Sequence, residues 1–154
     1  MYMQRMIDDW SKGRVRMVFS NINMKIQNFR QRFLGYLNTL DSSSKRQLAL
    51  TCDVGDKYTV LLNCCFIGDF YLIHWCINHG ADMNKGTKSG ASPLYIACQN
   101  NHIEVVKVLL DINADTNKCR DDGASPLYIA CRNDHIEVVK VLIDRKADIN
   151  KCMK

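Results

Sequence analysis

Cys64, Cys65, His74, Cys76 and His79 lie in one short stretch and are the residue types that hold zinc through thiolate and imidazole. The chain carries 8 cysteines, enough for a disulfide framework in a secreted protein. His102 and His135 add two further imidazoles. Phosphate-binding, hydrolytic or dinucleotide chemistry would need other patterns. No P-loop, G-x-S-x-G, H-E-x-x-H or G-x-G-x-x-G occurs. The candidate chemistry therefore reduces to thiols and imidazoles, and what they can do depends on the elements that hold them.

The cysteine spacing identifies those elements. Cys65, Cys98 and Cys131 are separated by 33 residues each, as are Cys119 and Cys152. The surrounding sequence recurs with them: SPLYIACQNNHIEVVKVLLDINADTNKC from Ser92 returns from Ser125 as SPLYIACRNDHIEVVKVLIDRKADINKC, with 6 substitutions. One period earlier, TVLLNCCFIGDFYLIHWCINHGADMNK from Thr59 fits the same frame without a gap, as a degenerate first copy. Cysteines that recur because a whole unit recurs follow the fold rather than a pairing scheme.

Local chemistry reads each unit as a pair of helices. Pro93 and Pro126 suit a first helical turn, where a missing N–H costs little, and Ser92 and Ser125 precede them as caps. Leu94, Ala97 and Cys98 recur at helical spacing, and Ala97 and Ala130 are small enough for close helix contact. The second segment, IEVVKVLL, is apolar except for Glu104 and Lys107, which can pair on an outer surface.

A 33-residue period with an S-P-L start resembles the ankyrin repeat, over residues 57 to 154. The resemblance implies an all-α ankyrin-repeat solenoid of helix-turn-helix units with β-hairpin loops, preceded by a short helical segment. The expected division is a basic amphipathic N-terminal cap at 1–56, a degenerate repeat at 57–89, a repeat at 90–122 and a repeat at 123–154, incomplete at its C-terminal end. It also implies a structural role for His102 and His135, which stand where the family commonly has His after the interhelical turn.

The departures from the family pattern carry expectations of their own. Tyr95, Tyr128 and Leu62 replace the family's His after Pro-Leu, which weakens a polar network there. Asn101 and Asp134 stand at a left-handed turn that usually takes Gly, whereas Gly68 keeps it. Asn113 and Lys146 stand where Gly would end the second helix, so the third repeat should be softest at Lys146. Asn63 puts a polar group at a core position, as expected of a specialised capping repeat.

The register argues against zinc. Cys65 and Cys76 align with Cys98 and Leu109, both core positions, while His74 aligns with the outward Lys107, so these groups should not converge. No metal, cofactor, small-molecule substrate or catalytic residue is expected. Trp75 aligns with Val108 and Val141 and reads as oversized core filling, with a binding anchor as the alternative.

Residues 1 to 50 lie outside the repeat. Met3, Met6, Ile7 and Trp10 share one face of a short helix. Ile22, Ile26, Phe29, Phe33, Leu37 and Leu40 stripe a longer one, and Ser44 with Gln47 resembles a capping box for a third. This stretch holds nine Lys or Arg against three Asp, whereas residues 51 to 154 hold twelve against thirteen acids, so the net +5 is all N-terminal. Its bland reading is a helical cap that shields the array. Any binding of nucleic acid or anionic membrane should belong to it alone.

No apolar run reaches the length of a membrane span, and the first twenty residues are broken by charge, unlike a secretory leader. An intracellular setting is expected, the cytoplasm first, with the nucleus open. The family resemblance implies protein binding on a concave surface of hairpin tips and first helices. The matching positions are Lys88, Ser89, Asp121 and Asp122 at the tips, Gln99, Asn100, Arg132 and Asn133 on the first helices, and Ile112 and Arg145 near the second-helix ends. A protein-binding scaffold and a regulatory fragment of a larger signalling protein or receptor both fit. The third repeat is expected to leave Ile129, Val138 and Leu142 partly open to water, inviting self-association.

Overall fold

The computed structural model describes residues 2–21, 26–55 and 58–151. Four helices precede the repeats: α1 (Tyr2–Ser11), α2 (Val15–Phe19), α3 (Gln27–Thr39) and α4 (Ser42–Leu50). Three helix pairs follow: α5 (Val60–Ile67) with α6 (Phe70–Asn78), α7 (Pro93–Gln99) with α8 (Ile103–Asp111), and α9 (Pro126–Arg132) with α10 (Ile136–Asp144).

The repeat helices begin where the sequence places them. Ser92 Oγ accepts from Tyr95 N at 3.1 Å and Ser125 Oγ from Tyr128 N at 3.0 Å, satisfying a free N–H at each helix start. Thr59 caps α5 in the same way through Leu62 N. Between the paired helices the chain turns through left-handed residues: Gly68 at φ 76°, Asn101 at 58° and Asp134 at 57°. Asn113 and Lys146 adopt φ 64° and 61° at the second-helix ends. A left-handed Lys costs about 1 kcal/mol. Lys146→Gly is accordingly expected to stabilise the chain by up to about 1 kcal/mol in urea titration, while the same change at exposed Lys140, inside α10, should destabilise by a similar amount.

First helices of neighbouring repeats pack side by side more intimately than second helices do, so α5, α7 and α9 form one closely packed row. The tips on that side are hairpin turns, closed by Thr87 N to Ala91 O and Arg120 N to Ala124 O, both 2.9 Å. They do not extend into strands among the described residues, whose single bridge pairs Cys52 with Thr59. Asp121 N donates to Ser89 O at 3.0 Å and ties one tip to the next.

The N-terminal helices share one core with the repeats. Trp10 is fully buried, donates from Nε1 to Leu48 O at 3.0 Å, and meets Phe19, Phe33 and Trp75 at ring-centroid distances of 5.0, 6.3 and 5.6 Å. Trp75 is thereby core filling joining cap to array. Met6 and Ile7 are buried and Met3 is partly so, as their shared face requires. Arg30 reaches from α3 to Asp69 at 3.6 Å, and its guanidinium lies over Tyr71. Burial of Asp69 raises its carboxyl above the ordinary range, against the lowering effect of its bonds from Leu72 N and Tyr71 N and of Arg30. Asn63, the expected misfit, is satisfied: Nδ2 donates to Asp53 Oδ2 at 2.7 Å and Thr59 O at 3.1 Å.

Three local expectations are corrected. The long helix of the cap region, α3, begins at Gln27, so Ile26 stands at its N-cap and is exposed, and the short α2 precedes it; Ile22 lies outside the described residues. The cap of α4 is Asp41, which accepts from Ser44 N at 2.9 Å, rather than a Ser44–Gln47 box. Carboxylate oxygens at an N-cap outcompete the hydroxyl three residues later, which itself bonds Asp41 at 2.6 Å. Finally, Ile129, Val138 and Leu142 are buried, because they face their own partner helix and the second repeat. The large apolar residues left open in the third repeat, among the described residues, are Ile136 at 64%, Ile143 at 50% and Ile149 at 63% exposure, and Cys131 is exposed as well. Cys131 and Ile143 align with Cys98 and Leu110, which the third repeat covers in the second.

Candidate functional site

The chemistry-bearing residues of the first repeat do not form a metal centre. Cys64, Cys65 and Cys76 are fully buried between helices, with Cys64 Sγ 3.9 Å from Cys76 Sγ. His74 lies outside, its ring against Phe70 at 4.7 Å. His79 is committed to Trp75 instead, with its ring 4.5 Å from that indole and its Nδ1 donating to Trp75 O at 2.7 Å. Among the described residues no group of three His, Cys, Asp or Glu is placed to hold an ion. Burial pushes the Cys64, Cys65 and Cys98 thiols well up, which keeps them neutral and suits packing rather than nucleophilic attack.

The two conserved-spacing imidazoles are cross-repeat ties. His102 Nε2 donates to Phe66 O at 2.9 Å, and His135 Nε2 donates to Gln99 O at 3.0 Å. Each bond caps the last turn of the preceding repeat's first helix, where carbonyls lack intrahelical partners. His102 also fills the space over Gly68, where an added Cβ would stand 2.5 Å from its Nδ1.

The first helices and the tips carry the positions expected to meet a partner. Gln99 and Arg132 are exposed at the ends of α7 and α9, on equivalent positions of their repeats. Asn100 and Asn133 beside them are partly committed to the scaffold, with Nδ2 donating to Ile96 O at 2.8 Å and Gln99 O at 3.2 Å. Lys88, Ser89, Asp121 and Asp122 are exposed at the tips. Asp122 pairs with Arg120 at 3.1 Å and accepts from Ala124 N, so its charge is partly spent within its own turn. Arg145 pairs with Asp111 at 2.6 Å and Ile112 is half-buried; both lie at second-helix ends, away from the Gln99 and Arg132 row. On the second helices, Glu104 with Lys107 and Glu137 with Lys140 form ion pairs at 2.8 Å facing solvent.

One member of the row is absent from the sequence-derived set. Phe66 aligns with Gln99 and Arg132 at steps of 33 and is 54% exposed at the end of α5. The residues around it, VLLNCCFI, are apolar almost throughout, so periodicity does not separate the outward Phe66 from its buried neighbours; register with the later repeats does.

A model of ankyrin repeats in three copies matches residues 44–152. The chain belongs to the ankyrin-repeat family, a class of helical solenoid whose members generally work as protein-protein interaction modules. The match begins within α4, ahead of the 57 expected from the repeat register, so it takes in part of the cap. No curated protein sequence matches the chain. Among the described residues no helix is long and apolar enough to cross a membrane.

Proposed function

We propose that this protein is a non-enzymatic scaffold or adaptor that holds a protein partner on its concave side. The carrying observation is the row of exposed side chains at equivalent positions of three repeats, Phe66, Gln99 and Arg132, on the first-helix side that the family resemblance makes concave. The tip residues Lys88, Ser89 and Asp121 extend that surface. Ile112, Arg145 and Asp122 contribute less, being half-buried or paired within the fold. The recurrence of Cys65, Cys98 and Cys131 with the repeat rather than with a pairing scheme supports an intracellular setting, cytoplasmic before nuclear.

With a partner in hand, Gln99→Ala with Arg132→Ala should weaken the complex at least tenfold more than Glu137→Ala with Lys140→Ala, measured by calorimetry. The reverse order places the interface on the second helices and ends this reading.

The open apolar positions Cys131, Ile136 and Ile143 favour a second reading, in which the array also self-associates, or regulates a larger signalling protein, through its third repeat. Sedimentation at rising concentration of the wild type and Ile143→Glu separates the two, since only the wild type should associate. Binding of anionic membrane or nucleic acid, if it occurs, is assigned to exposed cap residues such as Arg5, Lys12, Arg32 and Arg46, and should fall steeply with salt.

A further inference from the structure

The concave row changes chemistry along its length. Its first-repeat end is aromatic, with Phe66 exposed and Ile67 half-buried beside it. Its middle is an amide, Gln99, whose side chain can bond a peptide backbone. Its third-repeat end is the guanidinium of Arg132, which makes no ion pair among the described residues and so is available to a carboxylate in a forked geometry. A helical partner would present a continuous apolar stripe and need a continuous apolar groove to receive it. This row has one apolar end only, and one outward side chain per repeat. That is a pattern for an extended chain, whose main chain is served by amides and whose specificity comes from a few side chains.

The spacing follows from helix packing. Neighbouring helices pack at about 8–10 Å, so two repeats separate Phe66 from Arg132 by about 16–20 Å. An extended chain rises about 3.3 Å per residue and covers that distance in about five or six residues.

We propose that the Phe66, Gln99 and Arg132 row binds an extended segment of a protein partner carrying an apolar side chain for Phe66 and, about five or six residues away, an Asp or Glu for Arg132. This rests on the concave reading above and names its ligand. Phe66 anchors the segment: a large ring with two rotatable bonds gives up little entropy on binding and offers area for an apolar side chain. Arg132 fixes direction, because a segment laid the other way puts its carboxylate against a ring.

The test is a set of synthetic peptides with one Leu and one Glu separated by every interval from two to ten residues on a Ser and Gly background, titrated by fluorescence anisotropy against the full chain. Binding should peak near a separation of five or six. Phe66→Ala should lose about tenfold in affinity for the best peptide. Arg132→Glu should lose it too and regain it when the peptide's Glu is replaced by Lys. Both residues are exposed, so circular dichroism of the variants should match the wild type. A flat dependence on separation, no binding by any peptide, or charge reversal without recovery overturns the proposal. If a partner protein is still weakened by Gln99→Ala with Arg132→Ala, only this ligand is wrong; if it is not, the concave reading fails with it.

Discussion

Trp10→Ala is expected to lower the stability of the whole chain by about 3–5 kcal/mol, read as a shift of a single urea transition. The side chain is fully buried, and its removal opens a cavity between Phe19, Phe33 and Trp75 that rigid helices on three sides cannot collapse to fill. It also strands the Leu48 carbonyl that accepts its Nε1 proton. Stability of a domain this size is about 5–15 kcal/mol, so the loss is a large fraction of the total. Trp10→Phe, which keeps one aromatic ring but loses the pyrrole part and the hydrogen bond, should cost less, about 2–3 kcal/mol. A loss below about 1 kcal/mol for Trp10→Ala, or a first transition in which residues 1–50 melt alone, would mean that the N-terminal helices are an appendage rather than the first layer of the core.

Gly68→Ala is the second large effect, expected at about 2–3 kcal/mol. The residue sits at φ 76°, where any Cβ is strained by about 1 kcal/mol. The new Cβ would also stand 2.5 Å from His102 Nδ1, and the ring can yield only by giving up its bond to Phe66 O. That bond joins the first repeat to the second and contributes about 1 kcal/mol. Gly80 makes a fair control: it also has positive φ, at 91°, but nothing lies within 4 Å of an added Cβ, so Gly80→Ala should show the backbone strain alone. Equal losses at Gly68 and Gly80 would remove His102 from the account.

The same two sites show why some of the fold was legible in the sequence and some was not. The repeat helices announce themselves because Ser-Pro-Leu starts and left-handed Asn or Asp turns recur in register, so each local signal is read twice. The cap has no second copy. Its helix α2 is five residues long, too short to show a periodic stripe, and the Ser44–Gln47 spacing resembles a capping box although the helix starts earlier, on the carboxylate of Asp41. Long-range contacts were out of reach altogether. Nothing local links Trp10 to Trp75 or Arg30 to Asp69, and Asn63 looked like a misfit because its partner Asp53 is set by tertiary structure.

At the candidate site, the exposed Gln99 and Arg132 follow from register, but the intramolecular commitments of Asn100, Asn133, Asp122 and Arg145 do not. Phe66 escaped because an apolar residue in an apolar helix reads as core, and only the alignment of its position with Gln99 and Arg132 exposes it. In the third repeat the sequence does not separate the side chains enclosed by the unit's own two helices, Ile129, Val138 and Leu142, from the open ones, Ile136 and Ile143, because both sets fall in the same apolar helices.

The central claim, a partner held on the concave side, is tested most directly by amide hydrogen exchange of the chain with and without its bound partner. Helix-interior amides such as those of α8 and α10 are slow in either state, so the informative ones are the tip turns at 86–90 and 119–123 and the ends of α5, α7 and α9 around Phe66, Gln99 and Arg132. The account predicts that these slow on binding while the solvent-facing starts of α8 and α10, carrying Glu104 and Glu137, do not. Protection concentrated at the starts of α8 and α10 with the tips unchanged would contradict it.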